Sequence, residues 1–319
     1  MSRLQSLFRS DEIDPESRNR FLLIAGMVAI VVLALALIGF GYYVDRVKPR
    51  GETVIVVGER KFSYAYLENR AQAAYQEGNF NLQDPAFAIA QLVSDIQNEE
   101  LTRLLAAQEG LTATNEEIEA RMREDLDINP ESPRTSFAAA LRIYLQDIGL
   151  SLARYEEIVE ARVLETKLKN LYGAGIEPEQ EQIELSLIQT QTDAEAVAAR
   201  QRIMDGEDFG EVAMEVSSDT NAAFGGSYGW TPRDLLNDDL VDAAFALEPG
   251  AISEIIEVGS GFYILKIDGK ETREVTPEQV ADLGNRYFNK KLDEADAEYQ
   301  PENLLTVGQA QELVGSLGG

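Results

Sequence analysis

Histidine and cysteine are both absent from this chain of 319 residues. Without cysteine there is no disulfide, no thiol nucleophile and no thiol to carry a lipid. Without histidine the usual general base near neutrality is missing, together with the commonest transition-metal ligand. Histidine-dependent triads and zinc sites of the usual Cys and His ligands are therefore excluded by composition, and no metal or cofactor is expected. Basic residues are also scarce, with 28 Lys and Arg against 56 Asp and Glu, a formal charge of −28. Residues 1–50 hold seven basic and five acidic side chains, so the rest carries 21 − 51 = −30. A surface of that sign repels nucleic acid, which is not an expected partner. Its plain reading is a well-solvated, aggregation-resistant exterior. Attraction of basic or unfolded client polypeptides is the functional alternative.

One long apolar run is present. Phe21 to Val44 is 24 residues without a charge, and at 1.5 Å per residue a helix of that length reaches roughly 36 Å, enough for a ~30 Å hydrocarbon core. Tyr42 and Tyr43 sit where an interfacial aromatic belt would lie. A cleavable signal would have a shorter apolar core of roughly 7–15 residues and a small-residue cleavage site. This run leads instead into Tyr-Tyr-Val-Asp-Arg, so 21–44 is expected to be a transmembrane anchor behind a short tail, 1–20. Arg3, Arg9, Arg18 and Arg20 precede it, and Arg46, Lys48, Arg50, Arg60 and Lys61 follow. That near-tie does not decide the orientation.

Past the anchor the pattern is mostly helical. Residues 52–57 (ETVIVV) predict a strand, broken at Gly58, and Ser63 predicts the cap of a helix to about Glu77. Asp84-Pro85 opens another helix, whose Ile89, Leu92, Val93 and Ile96 form an i, i+3, i+4, i+7 stripe. Thr114-x-x-Glu117 is a capping-box pattern, and further helices are expected over about 135–148 and Ser151–Tyr172. Gly173 to Pro178 reads as a linker. Thr276-Pro277-Glu278-Gln279 starts a late helix, whose Val280, Leu283 and Tyr287 need an apolar surface to cover them. A shorter helix is expected after Gln300-Pro301.

Between the linker and Thr276 the period changes. Ile183, Leu185 and Leu187 alternate with Glu184, Ser186 and Ile188, as in a half-buried strand. Thr192-x-x-Glu195 and Asp208-x-x-Glu211 look like capping boxes, and Phe209, Val212, Ala213 and Val216 form a helical core stripe. Pro249-Gly250 is a turn, and Gly259-Ser260-Gly261 joins two final strands. The element order is β-α-α-α-β-β, within an α+β chain.

The segments IELSLIQT, AEAVAARQRIMDGEDFGEVAMEV, AAFGGSYGW, DDLVDAAFALEPG and ISEIIEVGSGFYILKI, in that order, resemble a parvulin-type (PpiC-like) peptidyl-prolyl isomerase domain over 180–272. GERKFSYAYLENR, EGLTATNEEIEARM and GLSLARYEEIVEARVLETKL resemble the N-terminal chaperone domain of the SurA, PrsA and PpiD foldase group. The resemblance implies an N-terminal transmembrane helix, a helical chaperone domain of 50–172 completed by 275–319, and the parvulin domain inserted between. It also implies a single-pass protein of the cell membrane, N-terminus cytoplasmic and the rest extracytoplasmic. The expected partners are unfolded or newly exported polypeptides containing proline, and with them the secretion machinery.

Rotation about an imide bond has a barrier of ~18–20 kcal/mol, and an X-Pro bond left alone takes tens to hundreds of seconds. Catalysis needs no nucleophile. It needs an apolar pocket for the proline ring, surroundings that disfavour the planar imide, and a grip on the flanking carbonyl. Carried over from the resemblance, the cleft Cys-or-Asp position falls on Asp219, the proline pocket on Leu236, Leu240 and Phe245, and the hydroxyl of the last turn on Ser260. The two histidine positions fall on Ser186 and Tyr263, which could bond each other and hold Asp219 with neutral donors. Each has a plainer reading. Asp219 can cap the next turn, while Leu236, Leu240, Phe245 and Tyr263 can be core. Gly225 and Gly226 serve backbone geometry. Two functions compete: an isomerase of X-Pro bonds, and a chaperone whose histidine-free domain only binds extended segments. A scaffold on the secretion machinery is a third.

Overall fold

The computed structural model describes residues 49–317, so the expected anchor, Phe21–Val44, lies outside the described residues. Among the described residues no helix is long and apolar enough to cross a membrane. The chain divides into two compact units. One gathers the residues up to Gln97 with Ile143–Leu150 and Pro301 onward; the other holds Asn98–Arg142 and Ser151–Gln300.

In the first unit, β1 (Thr53–Val57) turns at Gly58 (φ 56°) into β2 (Arg60–Ser63). Ser63 then caps α1 (Tyr64–Gln76), accepting from the Tyr66 amide at 3.3 Å. The apolar stripe expected beyond Asp84 belongs to α2 (Pro85–Gln108), where Ile89, Leu92, Val93 and Ile96 are all buried. The tail returns to this unit. There β7 (Glu302–Asn303) pairs antiparallel with β1 to give the order β2-β1-β7, and α10 (Val307–Leu317) buries Leu313 and Leu317. Tyr64, almost fully buried, donates its hydroxyl to the Gln309 carbonyl at 3.3 Å.

The second unit holds α3 (Asn115–Asp125), the start of α4 (Arg134–Ile148), α5 (Leu152–Ala174) and everything that follows to Gln300. The reciprocal box Thr114/Glu117 is present on α3, and Ser151 caps α5. The four-stranded sheet has the order β4-β3-β6-β5, built from β3 (Glu179–Thr190), β4 (Ser227–Pro232), β5 (Ile256–Val258) and β6 (Gly261–Glu274). Helices cover both faces. On one, Ile183, Leu185, Leu187, Leu265 and Ile267 pack with Leu236, Leu240 and Phe245, from α8 (Asp238–Ala246) and the loop before it. On the other, Ile188 and Ile264 pack with α6 (Asp193–Met204) and α7 (Phe209–Val216). Ile188, on the polar phase of the expected alternation, is thus as buried as its apolar-phase neighbours. Thr192/Glu195 forms its box, whereas Asp208 caps α7 with no return bond from Glu211.

The late helix, α9 (Pro277–Tyr299), carries the Thr276/Gln279 box and lies along α5. The two axes close on glycines: a Cβ at Gly284 would stand 2.5 Å from the Lys169 carbonyl oxygen, and Gly173 lies against the same residue. Leu283 and Phe288 are buried. Tyr287, grouped in the sequence with Val280 and Leu283 as needing an apolar cover, instead donates its hydroxyl to Asp234, just before α8.

Candidate functional site

A cleft of about 720 Å³ opens on the α8 side of the sheet. Its wall on β3 is made by Leu185, Leu187 and Gln189, alternate residues that share one face of the strand. Leu236 and Leu240, 6% and 2% exposed, form an apolar floor continuous with the core. Asp219, Tyr228 and Tyr263 also line the cleft, and Arg286 reaches it from α9.

The acid is positioned by a stack of local bonds. Ser217, just after α7, accepts the amides of Gln189 (3.1 Å) and Asp219 (3.2 Å), and Ser218 donates its amide to the Gln189 carbonyl at 2.8 Å. These tie the Ser217–Asp219 loop to β3. Asp219 then accepts the Asn221 amide at 2.8 Å, so its capping role and its place in the cleft coexist. Gly225 and Gly226 follow with φ 70° and 73°, in the left-handed region that glycine tolerates. A side chain at Gly226 would collide with the Leu187 carbonyl oxygen, and Gly226 in turn accepts the Leu187 amide at 2.8 Å. Gly226 therefore presses the loop onto the strand, while Gly225 lets it pass close against Gly210 at the start of α7.

Tyr228 completes this part of the site. Its hydroxyl lies 2.8 and 3.0 Å from the two Asp219 carboxylate oxygens. Burial first, and then the bond to Asp219, push the Tyr228 hydroxyl up to about 12. It stays a proton donor at any ordinary pH. Opposite, Tyr263 pairs with Gln189 across the strands, with its ring edge over Gly261.

Of the residues expected at the site, Asp219, Leu236, Leu240 and Tyr263 meet in the cleft. Three do not. Ser186 lies on the other face of β3 from Leu185 and Leu187, because successive strand residues point to opposite sides. The β3 residues that line the cleft are Leu185, Leu187 and Gln189, the other phase of the strand. Ser260 is exposed beside Gly259 (φ 60°) at the tip of the β5–β6 turn. Phe245 is five residues beyond Leu240, well round the helix, and is buried in the core beneath the Arg233 guanidinium, 4.6 Å from the ring centroid. Nor is Asp219 held by Ser186 and Tyr263; its hydroxyl partner is Tyr228. The sequence held a faint sign of this, an aromatic with a polar tip between two glycines near the acid.

Residues 180–269 match the model of the PPIC-type PPIASE domain, and residues 16–169 match that of the SurA-like N-terminal domain. Among curated relatives, a foldase protein PrsA of Oceanobacillus iheyensis is 30% identical over 125 residues, 39% of this chain and 40% of that protein. A foldase protein PrsA of Exiguobacterium sibiricum is 26% identical over 246 residues, 72% of this chain and 77% of that one. A chaperone SurA of Xanthomonas euvesicatoria is 34% identical over 120 residues, 36% of this chain and 26% of that protein. The match thus spans less than half of two of these three relatives.

Proposed function

We propose that this chain, a PpiC-type isomerase domain joined to a SurA-like N-terminal domain, is a membrane-anchored extracytoplasmic foldase that turns X-Pro bonds in polypeptides emerging from the secretion machinery. The observation that carries the reading is the cleft itself: an apolar floor of Leu236 and Leu240 beside a carboxylate, Asp219, fixed by Tyr228. The proline ring enters over the two leucines. Leaving water there favours the twisted imide, whose nitrogen is no longer conjugated and whose charge separation is reduced. Gln189, Tyr263 and Arg286 offer donors to the flanking carbonyl. No proton need move and no bond breaks but the partial double bond of the imide.

The test is a proline-isomerisation assay on the intact chain. We expect a measurable rate that Leu240→Glu abolishes, since a buried carboxylate costs several kcal/mol where the ring must sit. An unchanged rate in a variant whose circular dichroism is native would refute the pocket assignment.

A second reading, a non-catalytic chaperone, is favoured by one observation: Leu187 and Tyr263 face the cleft in a chain without histidine. It predicts peptide binding in the cleft with no rate above background. The anchor at 21–44 is tested separately, by resistance of the protein to alkaline extraction from membranes. Release as soluble full-length protein, or a mature N-terminus near residue 40, would exclude it.

A further inference from the structure

Four of the side chains lining the cleft are charged: Asp219, Asp238, Asp239 and Arg286. Arg286 comes from α9, beyond the stretch that matches the isomerase model. Its Nη2 is 2.6 Å from Asp238 Oδ1, so among the described residues the only cation of the cleft lining sits on one of its three carboxylates. The side-chain and amide groups that hold Asp219, the Tyr228 hydroxyl and the Asn221 amide, are neutral and cancel no charge. A hollow of about 420 Å³ shares Asp238 and Arg286 with the cleft and adds Asp234, Asp293 and Lys290. Across both, five carboxylates face two cations. A proline ring seated on Leu236 and Leu240 would carry its neighbouring side chains into this acidic mouth.

We infer that the cleft selects segments with lysine or arginine next to the proline. The inference rests on the peptide-binding reading of the cleft given above. A cation beside the ring meets the uncompensated charges of Asp219 and Asp239. An acidic neighbour meets the same charges with the wrong sign, and reaches Arg286 only by displacing Asp238. With two net charges at several ångströms and a partly solvated mouth, a lysine-for-glutamate exchange should change kcat/KM by about tenfold at low salt. The charge of −28 attracts basic segments over longer range but does not read their sequence. Peptides of equal net charge separate the two effects.

The experiment uses the full chain in neutral detergent and three peptides with Ala, Lys or Glu on both sides of one proline, balanced in charge by distant residues. Exchange spectroscopy gives kcat/KM for each, and chemical-shift titration gives Kd. We expect the order Lys, Ala, Glu, a Lys-to-Glu ratio of about tenfold, and collapse of that ratio at high salt. Asp239→Asn should lower the ratio about threefold, and Arg286→Gln, by freeing Asp238, should raise it. The inference is overturned if the Glu peptide is handled as well as the Lys peptide, or if the two substitutions move the ratio the same way. The isomerase reading survives either result. A chain that binds the peptides in the expected order without turning them over supports the inference and removes catalysis. Binding of none removes both.

Discussion

Asp219 sits among donors that do not titrate near neutrality. Tyr228 →Phe deletes the hydroxyl on its carboxylate and leaves the ring in place, so we expect isomerase activity to fall about tenfold with little change in melting, in line with the loss of one charge-assisted hydrogen bond. The pH dependence follows from composition. With no histidine or cysteine in the chain and Tyr228 raised to about 12, the rate should be level from about pH 6 to 9, and a bell centred near 7 would contradict the site. Stability should also respond at high pH. Tyr64 and Tyr228 both have hydroxyls raised in the folded chain to about 12, from an unfolded 10, chiefly by burial. Between those values the unfolded state has lost protons that the folded state keeps, so stability present below pH 10 is lost as pH rises towards 12. Tyrosinate absorbance should therefore appear together with loss of ellipticity. At this scale the sequence was legible where a residue's type implied its place, as with Asp219 and the leucines. It misled where one position decides a face, as between Ser186 and Leu187, and it gave only a faint sign of Tyr228, whose role needs β4 folded back beside the acid.

Elements were legible in proportion to their caps. Ser63, Thr114, Ser151, Thr192 and Thr276 each begin a helix at the residue read from the sequence, because an N-cap hydroxyl satisfies an amide that the helix leaves open. The strands of the larger sheet were legible only where they carry apolar residues. Glu179–Gln182 pairs in register with Glu271–Glu274, yet neither stretch has an apolar phase, so β3 and β6 extend past the strands that periodicity marked. That extension brings β3 to the start of α9. There Gln279 accepts the Thr276 amide and donates its side-chain amide to the Trp230 carbonyl (2.7 Å) and to Gln182 (3.1 Å). Gln182 is 1% exposed, so a lost partner is not replaced by water. Gln279→Ala should cost about 2 kcal/mol, more than a cap alone, while Gln279→Glu keeps the cap and loses the donor. Equilibrium urea unfolding measures both; equal stability of the two variants and the parent would mean that these bonds hold nothing.

At the scale of the whole chain, the composition reading excludes thiol and histidine chemistry outright, whereas the domain order rests on where the C-terminal residues go. We expect 50–172 and 275–319 to form one domain with 180–272 inserted. Two contacts bear on that expectation. Within the second unit α9 lies along α5, with Gly284 against Lys169 and Gly173. Within the first, β7 pairs with β1, and α10 rests on α1. Truncation after Glu274 removes all of these at once, exposing the face of α5 that met Leu283 and Phe288 and the open edge of β1. The helical region should then melt at least 10 °C lower, about 3 kcal/mol or more for a domain of this size. The sheet around β3 retains both of its cores and loses the peripheral bonds from Val275, Gln279, Arg286 and Tyr287, so its own transition should move little. Gly284→Leu offers the same test without truncation, because a side chain there must push α9 away from the Lys169 carbonyl while leaving the chain complete. If both variants melt as the parent does, the returning segment is an appendage, and the inserted arrangement fails with it.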